Sequence, residues 1–438
     1  MQQVQPISGF PEWLPGERLL ELELLDSLRE QFELFGFSPV ETRAVEPLDV
    51  LLAKGETDQE IYVVSRLQDP GSEMRYGLHY DLTVPLARYV VEHEARLQFP
   101  FRRYQIQKAW RGERPQRGRF REFYQADIDV VGRGAVPRAV DAEMLMLLHD
   151  ALGRLPGSPQ VEIHINSRRL LSALYQELGI PAVDKAIRAV DKIRKIGEDG
   201  VRAELRKTCD LDEPTAARCA GIACIAGTLQ PEADIAAALR DLGVGRTETS
   251  RDALAELCWI FETARPHVSV GSVVIDLSIA RGASYYTGLV LEGFLKEMPE
   301  LGAVCSGGRY DNLAASVGAG LSLPGVGVSI GVSRLMSYLL AARGQPARVS
   351  PAQVVIMLKD ENSRAAAYCA ARSLRARGVA TEVYPEPDKY GKQIRYASAR
   401  GIPYVLFIDE AATRIRDLSA ASQYEVDLES WLPAGAGR

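Results

Sequence analysis

One stretch constrains the fold more than any other: Trp110 to Gly132, WRGERPQRGRFREFYQADIDVVG, reads as two strand-like segments flanking a charged loop. A strand turns alternate side chains to the same face, so Arg119, Arg121, Phe123, Gln125, Asp127 and Asp129 would share one. That face carries cation, aromatic ring, amide and carboxylate in succession. Such an array can pair arginine with phosphate, stack a planar base on phenylalanine, and hold an ammonium and an imidazole through amide and carboxylate. It can seat ATP beside an amino acid. A solvated amphipathic strand with ordinary surface ion pairs, each worth little, has the same alternation, so the residues alone leave both readings open.

The rest of the chain supplies the frame for such a strand. From Arg18 to Phe35, Leu20, Leu24, Leu25, Leu28, Phe32 and Phe35 follow helical periodicity, and Gly36 is placed to end the helix. Glu60 to Leu67, Tyr76 to Val84 and Arg102 to Trp110 read as strands, with a turn signal at Asp69-Pro70-Gly71. Runs of strands with few helices between them predict an antiparallel sheet. Between about Pro181 and Pro266 Ala- and Leu-rich helical segments replace the strands, which implies a helical insertion at about 181–266. Strand patterns return at Ser272 to Ala280 and Tyr285 to Phe294, and PGVGVSIGVSRLMSYLL looks like a strand entering a helix. After Arg343 the segments VVIML, Ser363 to Arg377, VATEVY, Lys389 to Arg400 and YVLFID alternate strand with helix. The expectation is an α+β chain: a sheet domain over 1–343 carrying the insertion, then a small, largely parallel α/β domain over 350–438.

Composition narrows the class. At 438 residues the chain exceeds what one core usually serves, and 46% hydrophobic with 25% charged residues fits a globular enzyme rather than a disordered or membrane protein. The N-terminus has no basic stretch backed by an apolar run, and nothing approaches ~18 uninterrupted apolar residues, so a cytoplasmic protein with no membrane partner is expected. Six cysteines without C-x-x-C spacing read as reduced thiols. His79, His93, His149, His164 and His267 form no pair at ligand spacing, so no zinc is expected. A net charge of −6 excludes a protein coated in positive charge but leaves room for local basic surfaces facing RNA.

The spelling W-R-G-E-R-P-Q-R-G-R-F-R-E-F-Y-Q closely resembles motif 2 of the histidyl-tRNA synthetases, a class II family. The resemblance implies that Arg111 binds the α-phosphate of ATP, Glu113 reads the adenine amino group, Arg119 contacts the phosphates and Phe123 stacks on adenine. It places Gln125 on the α-amino group of histidine and Asp129 against the imidazole. LHYDLTVPLAR, Leu78 to Arg88, is similar to the family's D-L-T-V-P motif, whose Asp81 and Thr83, on one face of the expected strand, would fix the substrate ammonium. IARGASYYTG, Ile279 to Gly288, resembles the histidine-specific R-G-L-D-Y-Y. Arg281 would stabilise charge growing between carboxylate and α-phosphate, sharing the catalytic role with Arg111, while Tyr285 and Tyr286 line the imidazole pocket. Here the family's Leu-Asp is Ala283-Ser284, a departure that leaves relaxed substrate choice, weaker histidine binding or no effect all open.

Gly307-Gly308-Arg309-Tyr310-Asp311-Asn312 resembles the G-G-R-Y-D motif, whose tyrosine helps close the amino-acid pocket. Gly325 to Leu335 resembles motif 3, with Arg334 adding charge at a helix start that already favours phosphate. A polar turn and a Gly-rich strand are the bland readings of these two segments, and it is their order along the chain that gives them weight. Motif 1 is poorly represented, since its proline position falls nearer Arg43 than Pro47, so the homodimer that the family implies rests on the weaker match. The resemblance runs from about Ile7 to Trp431. It implies a class II catalytic domain followed by an anticodon-binding domain, and an enzyme that activates histidine with ATP and Mg²⁺ and passes it to tRNA(His). Lys392, Gln393, Arg395 and Tyr396 in KQIRYA are candidate RNA contacts or, alternatively, a solvated helix face. Two alternatives follow the same residues. One is a synthetase-like paralogue adenylating an amino acid for an acceptor other than tRNA. The other is a regulatory subunit resembling that of ATP phosphoribosyltransferase.

Overall fold

The computed structural model describes residues 5–52, 60–68, 75–227, 231–280, 286–311, 320–344, 346, 348–409 and 412–434. The turn expected at Asp69-Pro70-Gly71, the candidates Arg281 and Tyr285, the Ala283-Ser284 pair and Asn312 lie outside the described residues. The chain divides into two compact units, residues 1–11 with 24–339 and residues 12–23 with 340–438. Among the described residues no helix is long and apolar enough to cross a membrane.

The first helix spans Pro15–Leu34. Leu24, Leu28 and Phe32, one helical turn apart, are fully buried, each removal from water worth about 1.5–3 kcal/mol. It stops at Gly36, whose φ of 76° lets Phe37 N donate to Phe32 O at 3.0 Å and Gly36 N to Glu33 O at 2.9 Å. The strands of the larger unit are β1 (Ser38–Pro39), β2 (Val45–Pro47), β3 (Val63–Val64), β4 (Tyr76–Leu78), β5 (Phe101–Trp110), β6 (Glu122–Val131), β7 (Val161–Ser167), β8 (Ala226–Gly227), β9 (Val273–Asp276), β10 (Tyr286–Leu295), β11 (Ala303–Tyr310) and β12 (Gly325–Gly331). Nine of them form one sheet in the order β1-β5-β6-β12-β11-β10-β7-β9-β8. Its centre is antiparallel, as expected, whereas β1 with β5 and β7 with β9 are parallel. A small sheet β2-β4-β3 stands apart.

Three expectations need correction. The strand read over Tyr76 to Val84 stops at Leu78, and helix Thr83–His93 begins instead. The Asp81 carboxylate accepts from Val84 N at 3.0 Å, satisfying a first-turn amide, and Pro85 has no N–H to leave unpaired there. The strand read over Glu60 to Leu67 shrinks to β3. The insertion is helical over Val183–Val190, Ile193–Cys209, Glu213–Ala223, Pro231–Asp241 and Glu248–Ala264, yet it also lends β8 to the edge of the main sheet, antiparallel to β9.

In the smaller unit β13 (Val354–Ile356), β14 (Thr381–Val383), β15 (Tyr404–Ile408), β16 (Thr413–Asp417) and β17 (Ser422–Glu425) form a sheet in the order β14-β13-β15-β16-β17. Parallel pairing of β13 with β14 and β15 matches the expected α/β pattern, with helices Arg364–Ala376 and Tyr390–Ala399 between strands. The antiparallel hairpin β16–β17 was not expected. Gln393, a candidate RNA contact, is fully buried: its amide accepts from Leu358 N at 2.9 Å and donates to Leu358 O at 2.8 Å.

Candidate active site

β6 is a central strand, so its side chains meet partners from both neighbours. Asp129 lies opposite Arg103 of β5 and Gly327 of β12, and Asp127 opposite Gln105 and Ser329. The buried Arg103 guanidinium approaches one Asp129 oxygen at 2.6 Å, and Tyr310 Oη donates to the other at 2.8 Å. Arg103 is itself held, its Nη1 donating to Gln105 Oε1 at 3.3 Å. A carboxylate can take this position only over a bare backbone. A Cβ on Gly327 would sit 1.8 Å from Asp129 Oδ1, and one on Gly325 2.5 Å from the Tyr310 ring. The Gly-rich run is thus a floor for the carboxylate and the tyrosine.

Four residues earlier on the same face, Gln125 Nε2 donates to Ser329 Oγ at 2.7 Å. The Ser329 hydroxyl in turn bonds Asp127. That arrangement leaves Gln125 Oε1 and Asp127 Oδ1 buried with no hydrogen-bond partner among the described residues. Both residues line a cavity of about 90 Å³ together with Asp81, Thr83, Asp129, Tyr286 and Tyr310. Buried acceptors without donors are costly, about 1–3 kcal/mol each, unless a ligand supplies the donors. Burial pushes the Asp127 carboxyl up to about 7; Arg103 pulls it down, and Asp129 and Asp81 add to the rise.

Arg111, Gln125, Ser306 and Ser329 also line a second, larger cavity of about 410 Å³, so the two spaces adjoin. Its walls hold Glu113, Arg119, Phe123, Glu292 and Arg334. The Arg111 guanidinium lies 5.1 Å from the Phe123 ring centre, and its Nε donates to the Tyr80 carbonyl at 3.0 Å. Arg119 reaches Glu113 at a loose 3.6 Å. Arg334 donates to the Gly118 carbonyl at 3.3 Å and to the Ala303 carbonyl. Burial lowers the Arg334 pKa, and Arg119 and Arg111 lower it further. Guanidinium groups that repel one another around a cavity invite a polyanion.

The structure therefore brings together Asp81, Thr83, Arg111, Glu113, Arg119, Phe123, Gln125, Asp129, Tyr286, Tyr310 and Arg334. Arg121, expected on the same face, is not among the lining residues, because the strand begins only at Glu122 and Arg121 Nε donates to the Glu113 carbonyl at 3.1 Å. Sequence reading missed Arg103, whose position opposite Asp129 depends on hairpin register, and it gave Asp127 no task. It also passed over Asn166 of β7, fully buried, whose Nδ2 donates to the carbonyls of Leu277 and Ile279 at 3.2 and 2.8 Å. A lone asparagine in a strand gives no signal of that contact.

A small pocket with unfilled acceptors beside a larger cationic cavity can hold an ammonium compound next to a nucleotide phosphate. Comparison with known proteins gives the same direction. The family described as Histidyl-tRNA synthetase matches residues 9–335, and an anticodon-binding domain matches residues 353–433. A histidine–tRNA ligase of Bifidobacterium longum subsp. infantis is 47% identical over 98% of this chain and 96% of its own length. One from Thermobifida fusca is 47% identical over 97% of each. The crystal structure of histidyl-tRNA synthetase from Nostoc sp. PCC 7120 superposes with a TM-score of 0.86 at 34% identity, covering 97% of both chains. An ATP phosphoribosyltransferase regulatory subunit/histidyl-tRNA synthetase from Bacillus halodurans C shares the fold, with a TM-score of 0.73 at 22% identity over 90% of this chain and 97% of that one.

Proposed function

The chain belongs to the histidyl-tRNA synthetase family, and from that membership and the geometry of its two adjoining cavities we propose how its residues divide the work. It is a histidine–tRNA ligase, activating histidine with ATP and transferring it to tRNA(His). Identity near one half over almost the whole chain favours this over a paralogue with another acceptor or a regulatory subunit.

Histidine occupies the small pocket. Its α-ammonium supplies the donors that Gln125 Oε1 lacks, with Asp81 and Thr83 beside it, and its imidazole meets Asp129, whose carboxylate Arg103 and Tyr310 hold in place. The unfilled Gln125 acceptor facing this pocket is the observation that carries the reading. Tyr285 and Tyr286 wall the imidazole. ATP occupies the larger cavity, adenine stacked on Phe123 and read by Glu113, phosphates on Arg111, Arg119 and Arg334. The carboxylate attacks the α-phosphorus in line and pyrophosphate leaves, while Arg111 and Arg281 stabilise the charge that develops. The terminal hydroxyl of the tRNA then attacks the adenylate carbonyl and AMP departs. Among the described residues no group of three His, Cys, Asp or Glu side chains is arranged to hold a metal ion. Mg²⁺ takes one or two carboxylates beside phosphate oxygens, so Glu292, on the wall of the nucleotide cavity, fits as its protein ligand, and the ion would neutralise phosphate charge.

An apolar analogue of histidine would leave these buried groups unpaired, a discrimination of roughly 10⁴ or more. The smaller unit reads the anticodon. We propose a homodimer, supported by the exposed apolar side chains of the small sheet: Val45, Val64 and Tyr76 on one face are 37, 37 and 52% exposed. A second copy of the chain covers that face, which sedimentation equilibrium would test. A cytoplasmic location fits a reaction whose product is consumed in translation. Pyrophosphate exchange screened across all amino acids, followed by charging of total tRNA, tests the whole reading. Exchange with histidine alone and charging of tRNA(His) are expected; exchange without charging would point to the paralogue, and no exchange to the regulatory subunit.

A further inference from the structure

Among the described residues the small pocket gathers three carboxyls against two guanidinium groups, the buried Arg103 and the less buried Arg111. Asp81, Asp127 and Asp129 all line it, and Arg103 stands against them from β5. Each carboxyl is differently provided for. Asp129 has the guanidinium at 2.6 Å and the Tyr310 hydroxyl at 2.8 Å. Asp81 has the Val84 amide at the start of a helix. Among the described residues Asp127 has the Ser329 hydroxyl from β12, and its other oxygen has no hydrogen-bond partner although the residue is 2% exposed. It stands between Gln125 and Asp129 on one face of β6, so its free oxygen lies between the places assigned to the ammonium and the imidazole.

We propose that Asp127 is a further binding residue for the amino-acid substrate, holding a proton in the empty pocket and giving it up to solvent when the α-ammonium enters. This rests on the reading that the small pocket takes histidine. The exchange balances: a neutral carboxyl and an ammonium become a carboxylate–ammonium pair and one released proton. The charge that burial makes costly in the empty site is formed only when its counter-ion arrives. With the carboxyl near 7, Asp127 is close to half-protonated at neutral pH, so the substrate both fills the pocket and sets its protonation state.

The test is calorimetric titration of histidine into the full-length protein and into Asp127→Asn, in buffers of different ionisation enthalpy, which counts protons. At pH 7 the wild type should release about half a proton per site more than the variant, and its affinity relative to the variant should fall about tenfold from pH 8 to pH 6. The imidazole of free histidine also titrates in this range, but it does so equally with both proteins. Equal proton counts in the two proteins, both binding histidine, would overturn the role of Asp127 while leaving the pocket assignment intact. Absence of histidine binding to the wild type would instead remove the assignment itself. Should the variant fail to fold, the wild type with 1,2,4-triazole-3-alanine, whose ring does not titrate near neutrality, decides: release of about half a proton at pH 7 supports the role, and none overturns it.

Discussion

Asp127 and Asp276 sit on the same nine-stranded sheet, 2% and 7% exposed, yet their carboxyls are driven in opposite directions. Asp127 is pushed up to about 7 by burial. Burial would raise Asp276 too, but hydrogen bonds from His164 and Ser278 outweigh it and bring the group down to about 2. The donors are all supplied by the chain: His164 Nδ1 at 2.7 Å, Arg194 Nη2 at 2.7 Å and Ser278 N at 2.8 Å. Arg194 belongs to the helical insertion and its guanidinium also lies 4.1 Å from the Phe294 ring centre, so this end of the sheet uses its carboxylate to fasten the insertion. At the β6 end one oxygen of Asp127 is left without a donor among the described residues. Equal burial therefore has two meanings, and what separates an anchoring carboxylate from a binding one is whether the protein itself completes its hydrogen bonds.

Arg281 follows Asp276 by five residues in the sequence, just after the Leu277 and Ile279 carbonyls that Asn166 holds. Arg281→Ala should show the largest effect, a fall of at least about 1,000-fold in kcat for histidine-dependent pyrophosphate exchange with an unchanged denaturation midpoint. Near-normal exchange would remove its catalytic assignment. Asp129→Ala comes next. It should raise the histidine KM about 100-fold and leave the ATP KM within about threefold, because only the small pocket loses a partner. It should also cost about 3 kcal/mol of stability, since Arg103 would be left buried without its counter-ion. Equal losses for histidine and ATP would sink the imidazole-facing role and, with it, the separation of the two cavities.

How much of this was legible beforehand differs between the regions for a physical reason. At the β6 end the chemistry lies in one continuous segment, and strand alternation alone puts Phe123, Gln125 and Asp129 on a common face. Arg103 was beyond reach because it faces Asp129 through hairpin register, which the loop between Trp110 and Glu122 sets. The D-L-T-V-P segment was read as a strand from its alternation, although an Asp three residues before the amide it caps, followed by Pro85, is itself a helix-start signal. At the Asp276 end the strand and the helical insertion were legible, but the cluster they form was not. His164, Arg194 and Asp276 come from β7, the insertion and β9, far apart in sequence, and strand β7 itself went unread. Contacts between distant segments leave no periodic trace in either one.

Asp276→Asn brings the comparison to its sharpest form. Its folded pKa lies below the unfolded 3.8, so its stabilisation is present above about pH 4 and is lost as pH falls through about 2. A depression of somewhat under two units corresponds to about 2 kcal/mol at neutral pH, and with the side chain only 10% exposed solvent screening removes little of it. For Asp127 the sign reverses: its folded pKa lies above the unfolded value, so its contribution is favourable at low pH and is lost as pH rises through about 7. At pH 8, then, Asp276→Asn should lower the denaturant midpoint of the free protein with histidine and ATP KM values within about twofold of wild type, whereas Asp127→Asn should leave the midpoint equal or higher. Equilibrium denaturation at pH 8 alongside exchange kinetics measures both. Midpoint shifts of the same sign in the two variants would mean that burial, and not the supply of donors, governs both carboxyls.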